Sequence, residues 1–130
     1  MYRSVTHNIR VTVTPQYLPE RSEPDAKRYF WAYTVEIANQ GDRPMQLRSR
    51  HWRITDAMGR TEEVRGPGVV GEEPVIQPGN AFTYTSGCPL KTSSGIMVGS
   101  YQMQAEDGQM LDVAIPAFSL DSPDRPKRLN

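Results

Sequence analysis

Tyr29–Asn39 reads YFWAYTVEIAN, and its alternation decides the fold. Tyr29, Trp31, Tyr33, Val35 and Ile37 share one parity, and Phe30, Ala32, Thr34, Glu36 and Ala38 share the other. Successive side chains of an extended strand point to opposite faces, so this period of two describes a strand. Glu36 has to reach water, which assigns the odd set to the core at the C-terminal end. Toward the N-terminus both parities are apolar, and that predicts a loop or linker covering the second face. Asn39-Gln40-Gly41-Asp42 then carries turn chemistry.

The chain downstream repeats the pattern. Pro44–Asp56, PMQLRSRHWRITD, is a strand in which Met45, Leu47 and Ser49 keep one parity and Trp52 and Ile54 the other. The slip falls near Arg50 and His51, and a β-bulge is its simplest cause. Asp56-Ala57-Met58-Gly59 reverses the chain into a short polar edge-like strand, Arg60–Arg65. Gly66–Gly79 is too rich in glycine and proline for a helix. Asn80–Ser86 sets Phe82 and Tyr84 against Thr83 and Thr85. Gly95–Ala105 and Gln109–Ile115 form a hairpin across Glu106-Asp107-Gly108, read as a two-residue Asp-Gly loop. Pro116–Leu120 completes the core, and residues 121–130 are a polar tail.

Upstream, Ser4–Thr14 reads as one strand, with Ile9, Val11 and Val13 on one face, His7 near its start and Pro15 at its end. LPERSEPDAK (Leu18–Lys27) makes residues 19–28 an exposed, mobile connection. About seven short antiparallel strands without helical spacing define an all-β chain, best arranged as a two-sheet antiparallel sandwich. An open barrel is the alternative. Trp31 or Trp52 would fill the centre of the sandwich.

With 130 residues the chain is one domain, residues 1–130. Fifteen basic residues balance 15 acidic ones, so no global field draws it to nucleic acid or to a membrane surface. The single cysteine, Cys88, excludes an intrachain disulfide and fits a reducing, cytoplasmic setting. The opening residues lack the apolar core of a signal peptide, and no run is long enough to span a membrane.

Gly66-Pro67-Gly68-Val69-Val70-Gly71 matches G-x-G-x-x-G. A dinucleotide site needs a helix after those glycines, and Glu72-Glu73-Pro74 denies it. A loop using positive φ angles is the plain reading, and an anion-binding nest of backbone N–H groups is the functional one. Arg48, Arg50, His51 and Arg53 form the basic cluster. On a strand Arg48 and Arg50 share a face, and a bulge would bring Arg53 round to it. Guanidinium groups suit phosphate, so Arg48, Arg50, His51, Arg53, Gly66, Gly68 and Gly71 are the candidate anion site for phosphate, pyrophosphate or a nucleotide. The plain alternative is a solvated strand face paired with Glu62 and Glu63.

His7 and His51 lie far apart, and no ligand spacing points to a metal centre or a cofactor. A set made from Cys88 or Ser86 with His51 and Asp56 lacks any catalytic spacing, so an enzyme is not expected. The apolar patch at Tyr29–Tyr33 and the open sheet edges offer routes to a protein partner or a second copy of the chain.

One family is recognisable. SRHWRITD (Ser49–Asp56), GPGVVGEEPVIQPG (Gly66–Gly79), FTYTSGCPL (Phe82–Leu90) and GIMVGSYQM (Gly95–Met103) resemble the bacterial ApaG proteins. VTVTPQYLPERSEP (Val11–Pro24) and IPAFSLDSP (Ile115–Pro123) resemble the ends of that family. The resemblance implies a fibronectin type III-like sandwich. By gene neighbourhood and family name it suggests links to diadenosine-polyphosphate hydrolysis and to cobalt and magnesium homeostasis. Related eukaryotic domains look like interaction modules. The resemblance brings no catalytic residue to this chain. The resulting expectation is a non-enzymatic binding module acting through protein partners, with an anion or nucleotide sensor as the alternative.

Overall fold

In a computed structural model that describes residues 1–123, the chain forms nine strands. They are β1 (Tyr2–Thr6), β2 (Ile9–Tyr17), β3 (Tyr29–Asn39), β4 (Met45–Asp56), β5 (Thr61–Pro67), β6 (Val75–Ile76), β7 (Ala81–Leu90), β8 (Ser94–Ala105) and β9 (Met110–Asp121). Two antiparallel sheets result, β1-β2-β3-β7 and β5-β4-β8-β9, with β6 also paired to β4. This is the expected sandwich. No helix among the described residues is long and apolar enough to cross a membrane.

The core follows the parity reading. Trp31, Tyr33, Val35 and Ile37 of β3 and Ile9, Val11 and Val13 of β2 are buried. They face Leu47, Met97, Met103, Val113 and Phe118 of the second sheet, each such side chain contributing about 1.5–3 kcal/mol when fully buried. Trp52 takes the centre, edge-on to Tyr33 at 5.5 Å and to Phe118 at 5.9 Å. Trp31 sits nearer one end, against Tyr17 and Tyr29, with its indole N–H donating to Asp121 O at 3.0 Å.

Several local expectations are corrected. The first strand is two: His7 and Asn8, at φ +51 and +64, make a tight turn, and Thr6 faces Ile9. Both central residues at positive φ give the primed turn that suits strand twist, here built without glycine. Pro15 does not end β2. It pairs with Tyr33 beyond the last β1 partner, where no neighbour needs its missing N–H.

The bulge in β4 lies at Arg48, not at Arg50 and His51, because Leu47 faces Met103 while Ser49 faces Gln102. The β8–β9 loop holds three residues rather than two, since Ala105 N–H donates to Gln109 O and Gly108 takes φ +88. A second register shift, between Met97 and Gly99, lets Pro116 lie within β9.

The connection after Tyr17 is largely exposed and hydrogen-bonded to β3. Pro19 and Pro24 open two single-turn 3-10 helices. Leu18 N–H donates to Phe30 O at 2.9 Å, Phe30 N–H donates to Ser22 Oγ at 2.9 Å, and Arg21 lies 4.5 Å over the Phe30 ring. The connection therefore covers the second apolar face of β3, as its sequence required. The polar tail starts later than expected: Asp121 pairs with Ser94, and Ser122 is buried. The rest of that tail, residues 124–130, lies outside the described residues.

The sandwich closes along one side. Tyr2 and Ser119 share a hydroxyl hydrogen bond of 2.8 Å, Ser4 Oγ donates to Ala114 O, and Ala114 N–H donates to Thr6 Oγ1. These bonds join β1 to β9. On the opposite side the edges are β7 and β5.

Candidate functional site

The basic cluster is divided by the bulge. Arg50 is paired with Tyr101, a fully buried residue of β8, so Arg50 points between the sheets. His51 and Arg53 pair with Ser100 and Val98 and face outward with Arg48. Arg48 and Arg50 therefore do not share a face. An extra residue at 48 re-aims everything after it by one step.

The glycine motif is an excursion of an edge strand. Ser49 faces Pro67 and Met45 faces Ile76, so four steps along β4 match nine on the other strand. β5 and β6 thus continue one another along β4, with five residues looped out between them. Gly66 lies in β5 opposite Arg50, and a Cβ there would meet the Arg50 guanidinium at 3.1 Å. Gly68 turns the chain at φ +58, and a Cβ would meet Glu72 O at 2.1 Å, so only glycine fits.

The structure does bring Arg50 to the glycine loop, but as each other's partner. Arg50 Nη1 donates to Pro67 O at 3.0 Å and to Gly68 O at 2.9 Å. Three of the loop's N–H groups turn inward too: Gly68 to Arg48 O, Val69 to Glu72 O, and Glu72 to Val69 O. Arg48 pairs with Glu73 at 3.3 Å and with Gln46 at 3.2 Å. His51 Nε2 lies 2.7 Å from Glu63 Oε1, and this contact is the main reason the Glu63 carboxyl is held below its usual range. Arg53 is exposed and unpaired among the described residues. The paired, solvated strand face is the arrangement observed, with Glu63 and Glu73 as partners.

The imagined catalytic set is not assembled. Asp56 Oδ1 accepts the N–H groups of Met58 and Arg60 in its turn, His51 is on an outer face, and Cys88 is buried opposite Trp31. Burial pushes the Cys88 thiol up to about 11, with Glu62 adding to the shift. Among the described residues no three His, Cys, Asp or Glu side chains converge as a metal cage.

Two groupings escaped the sequence. Tyr84 and Tyr101 share a hydrogen bond between the sheets, and desolvation raises both phenols and that of Tyr33, with the Arg50 charge opposing. A parity reading finds each tyrosine but not that they meet. Arg21, Lys27, Arg60 and Lys91, from three different turns, gather at one end of the sandwich. Their separation in the chain left no local signal.

A family model described as the ApaG domain matches residues 19–105. The chain is 62% identical to Protein ApaG of Xanthobacter autotrophicus over 130 residues, all of both chains. It is 58% identical to Protein ApaG of Rhodopseudomonas palustris, again over all of both. A crystal structure of an ApaA protein from Bordetella pertussis superposes with a TM-score of 0.87 at 48% identity, covering 92% of this chain and 98% of that one. The matched residues include the arginine strand, the glycine excursion and β7, and the chain belongs to the ApaG domain family.

Proposed function

We propose that this protein is a non-enzymatic binding module that takes an extended segment of a protein partner against strand β7. One observation carries the reading. Sheet edges are normally defended by charge, proline or a cover, because their unpaired N–H and C=O groups template another strand. β1 and β9 are joined to each other by side-chain bonds, and β5 carries Glu62, Glu63, Arg65 and Pro67. β7, ten residues of AFTYTSGCPL, carries no charge, and its proline comes only at the penultimate position. Its outer face presents exposed Thr83 and Thr85, small side chains, and the Phe30 ring lies over Gly87 beyond them. Main-chain bonds along such an edge supply affinity, and the small residues admit close approach.

The anion-sensor alternative at Arg48–Arg53 and Gly66–Gly71 has less support, since Arg50 and the loop satisfy one another. A part in cobalt or magnesium homeostasis would run through the partner, because no donor set for a resident metal converges among the described residues.

The test compares complexes cross-linked in the native cell by the wild type, by Thr83→Lys/Thr85→Lys, and by Arg53→Ala. Loss of the same complexes in the lysine variant alone, with an unchanged circular dichroism spectrum, supports the reading. Retention of every complex by the folded lysine variant overturns it. If the occupant is a second copy of the chain, a sedimenting dimer disappears with the same two lysines.

A further inference from the structure

The side of the sandwich left open by β5 and β7 contains two adjoining hollows of about 590 Å³ each. Both are lined by Lys27, Arg28, Tyr29, Asp56, Arg60 and Lys91. Sites for small organic ligands are typically about 300–1,000 Å³, mostly apolar, with a few convergent polar groups.

The floor is apolar. Tyr29, Ile54 and Leu90 are half-buried and pack on the edge of the core without being covered by it. The rim is cationic in a chain of zero net charge. Asp56 and Glu62 oppose it, two carboxylates against five cations, and Asp56 Oδ1 is engaged in closing its own turn. Arg28 reaches Glu23 at 3.6 Å, whereas Lys27, Arg60 and Lys91 have no ion-pair partner among the described residues. Lys27 also occupies φ +56, a backbone state in which a lysine replaces the glycine such a position favours. Three unpaired cations around one apolar floor define a ligand with a negative group at one end and an apolar body at the other. Low-dielectric walls strengthen such a field locally.

We propose that this end cleft binds a small organic anion bearing a planar apolar group, its ring on Tyr29, Ile54 and Leu90 and its charge on Lys27, Arg60 and Lys91. Arg48, Arg50, His51 and Arg53 do not line the site, nor do the outward threonines of β7 used to test partner binding. Failure of either idea therefore leaves the other standing.

Amide NMR titration of the whole chain with phenyl phosphate, inorganic phosphate and benzyl alcohol separates the contributions of charge and ring. Phenyl phosphate should give saturable shifts at Lys27–Tyr29, Arg60–Glu62 and Leu90–Thr92, with a Kd about tenfold or more below those of the other two probes. Arg60→Glu and Lys91→Glu, both at exposed turn positions, should each weaken it by about tenfold, and added salt should weaken it further. Arg53→Ala should change nothing. Equal affinity for inorganic phosphate, equal affinity for benzyl alcohol, shifts centred on Arg48–Gly71, or binding unchanged in both glutamate variants would each overturn the proposal.

Discussion

Removing one hydroxyl from the Tyr84–Tyr101 pair should destabilise the protein more than removing both. The pair joins β7 of one sheet to β8 of the other. Tyr101 is fully buried and Tyr84 is 7% exposed, and neither hydroxyl has a second hydrogen-bond partner among the described residues. Tyr101→Phe leaves the Tyr84 hydroxyl dry and unpaired, at a cost of about 1–3 kcal/mol, and Tyr84→Phe does the same to Tyr101. The double variant leaves no orphan, and forfeits only the net worth of one bond, about 1 kcal/mol. Unfolding entropy of about 2.1 cal/mol/K per residue makes 2 kcal/mol equivalent to a fall in Tm of about 7 °C for this 130-residue chain. Urea unfolding of the four proteins completes the cycle, with m unchanged as the condition for comparison. A double variant as unstable as the two single losses added together would refute the reasoning.

Other substitutions and conditions give sharp outcomes. Gly68→Ala meets Glu72 O and a positive φ, whereas Gly71→Ala at φ +80 meets open space. The first should lower stability by at least about 2 kcal/mol and the second by about 1–2 kcal/mol, the cost of a left-handed residue; equal losses by urea melt would contradict the clash. Cys88, 3% exposed with its thiol pushed up to about 11, should resist Ellman's reagent at pH 8 until the chain unfolds. Rapid stoichiometric labelling of the folded protein would contradict this. Burial raises the phenols of Tyr33, Tyr84 and Tyr101, so above about pH 10 the unfolded chain binds fewer protons than the folded one. Stability present below that pH should fall as pH rises, by as much as about 1.4 kcal/mol per pH unit for each tyrosine; a Tm flat from pH 9 to 12 would refute it.

Much of the fold was legible because burial writes itself as parity. β3, β7 and the β8–β9 hairpin follow directly from alternation in YFWAYTVEIAN, AFTYTS and GIMVGSYQMQA. The bulge was also legible, since Leu47 and Trp52 cannot share a face without one, but its position was not. Any residue from Arg48 to His51 would restore the pattern, and the pairing with β8 makes the choice. The His7-Asn8 turn left little trace, because it lacks the glycine that normally marks positive φ. At the candidate site, only Arg50 of the basic cluster brings its side chain to the glycine loop, and the bulge at Arg48 is what separates it from the others. The sequence did not show that Arg50 would pair with the loop's carbonyls, because carbonyl directions are set by the excursion between β5 and β6. The cleft at Lys27, Arg60 and Lys91 was invisible for a different reason: its cations come from turns that meet only when both sheets are complete.

The bonds between β1 and β9 also carry a consequence for synthesis. Tyr2 meets Ser119 across 117 positions, so the contact is absent while the ribosome is still making the middle of the chain. The β1–β2 hairpin and the β2–β3 pairing can form early, yet the apolar face of β2 stays uncovered until β9 emerges, because β2 and β9 pack together. A nascent chain stalled before residue 110 would display Ile9, Val11 and Val13 to its surroundings. Such exposed strands are where chaperones bind and aggregates start. For this sandwich the hazard of folding falls in the interval before its last strand is released.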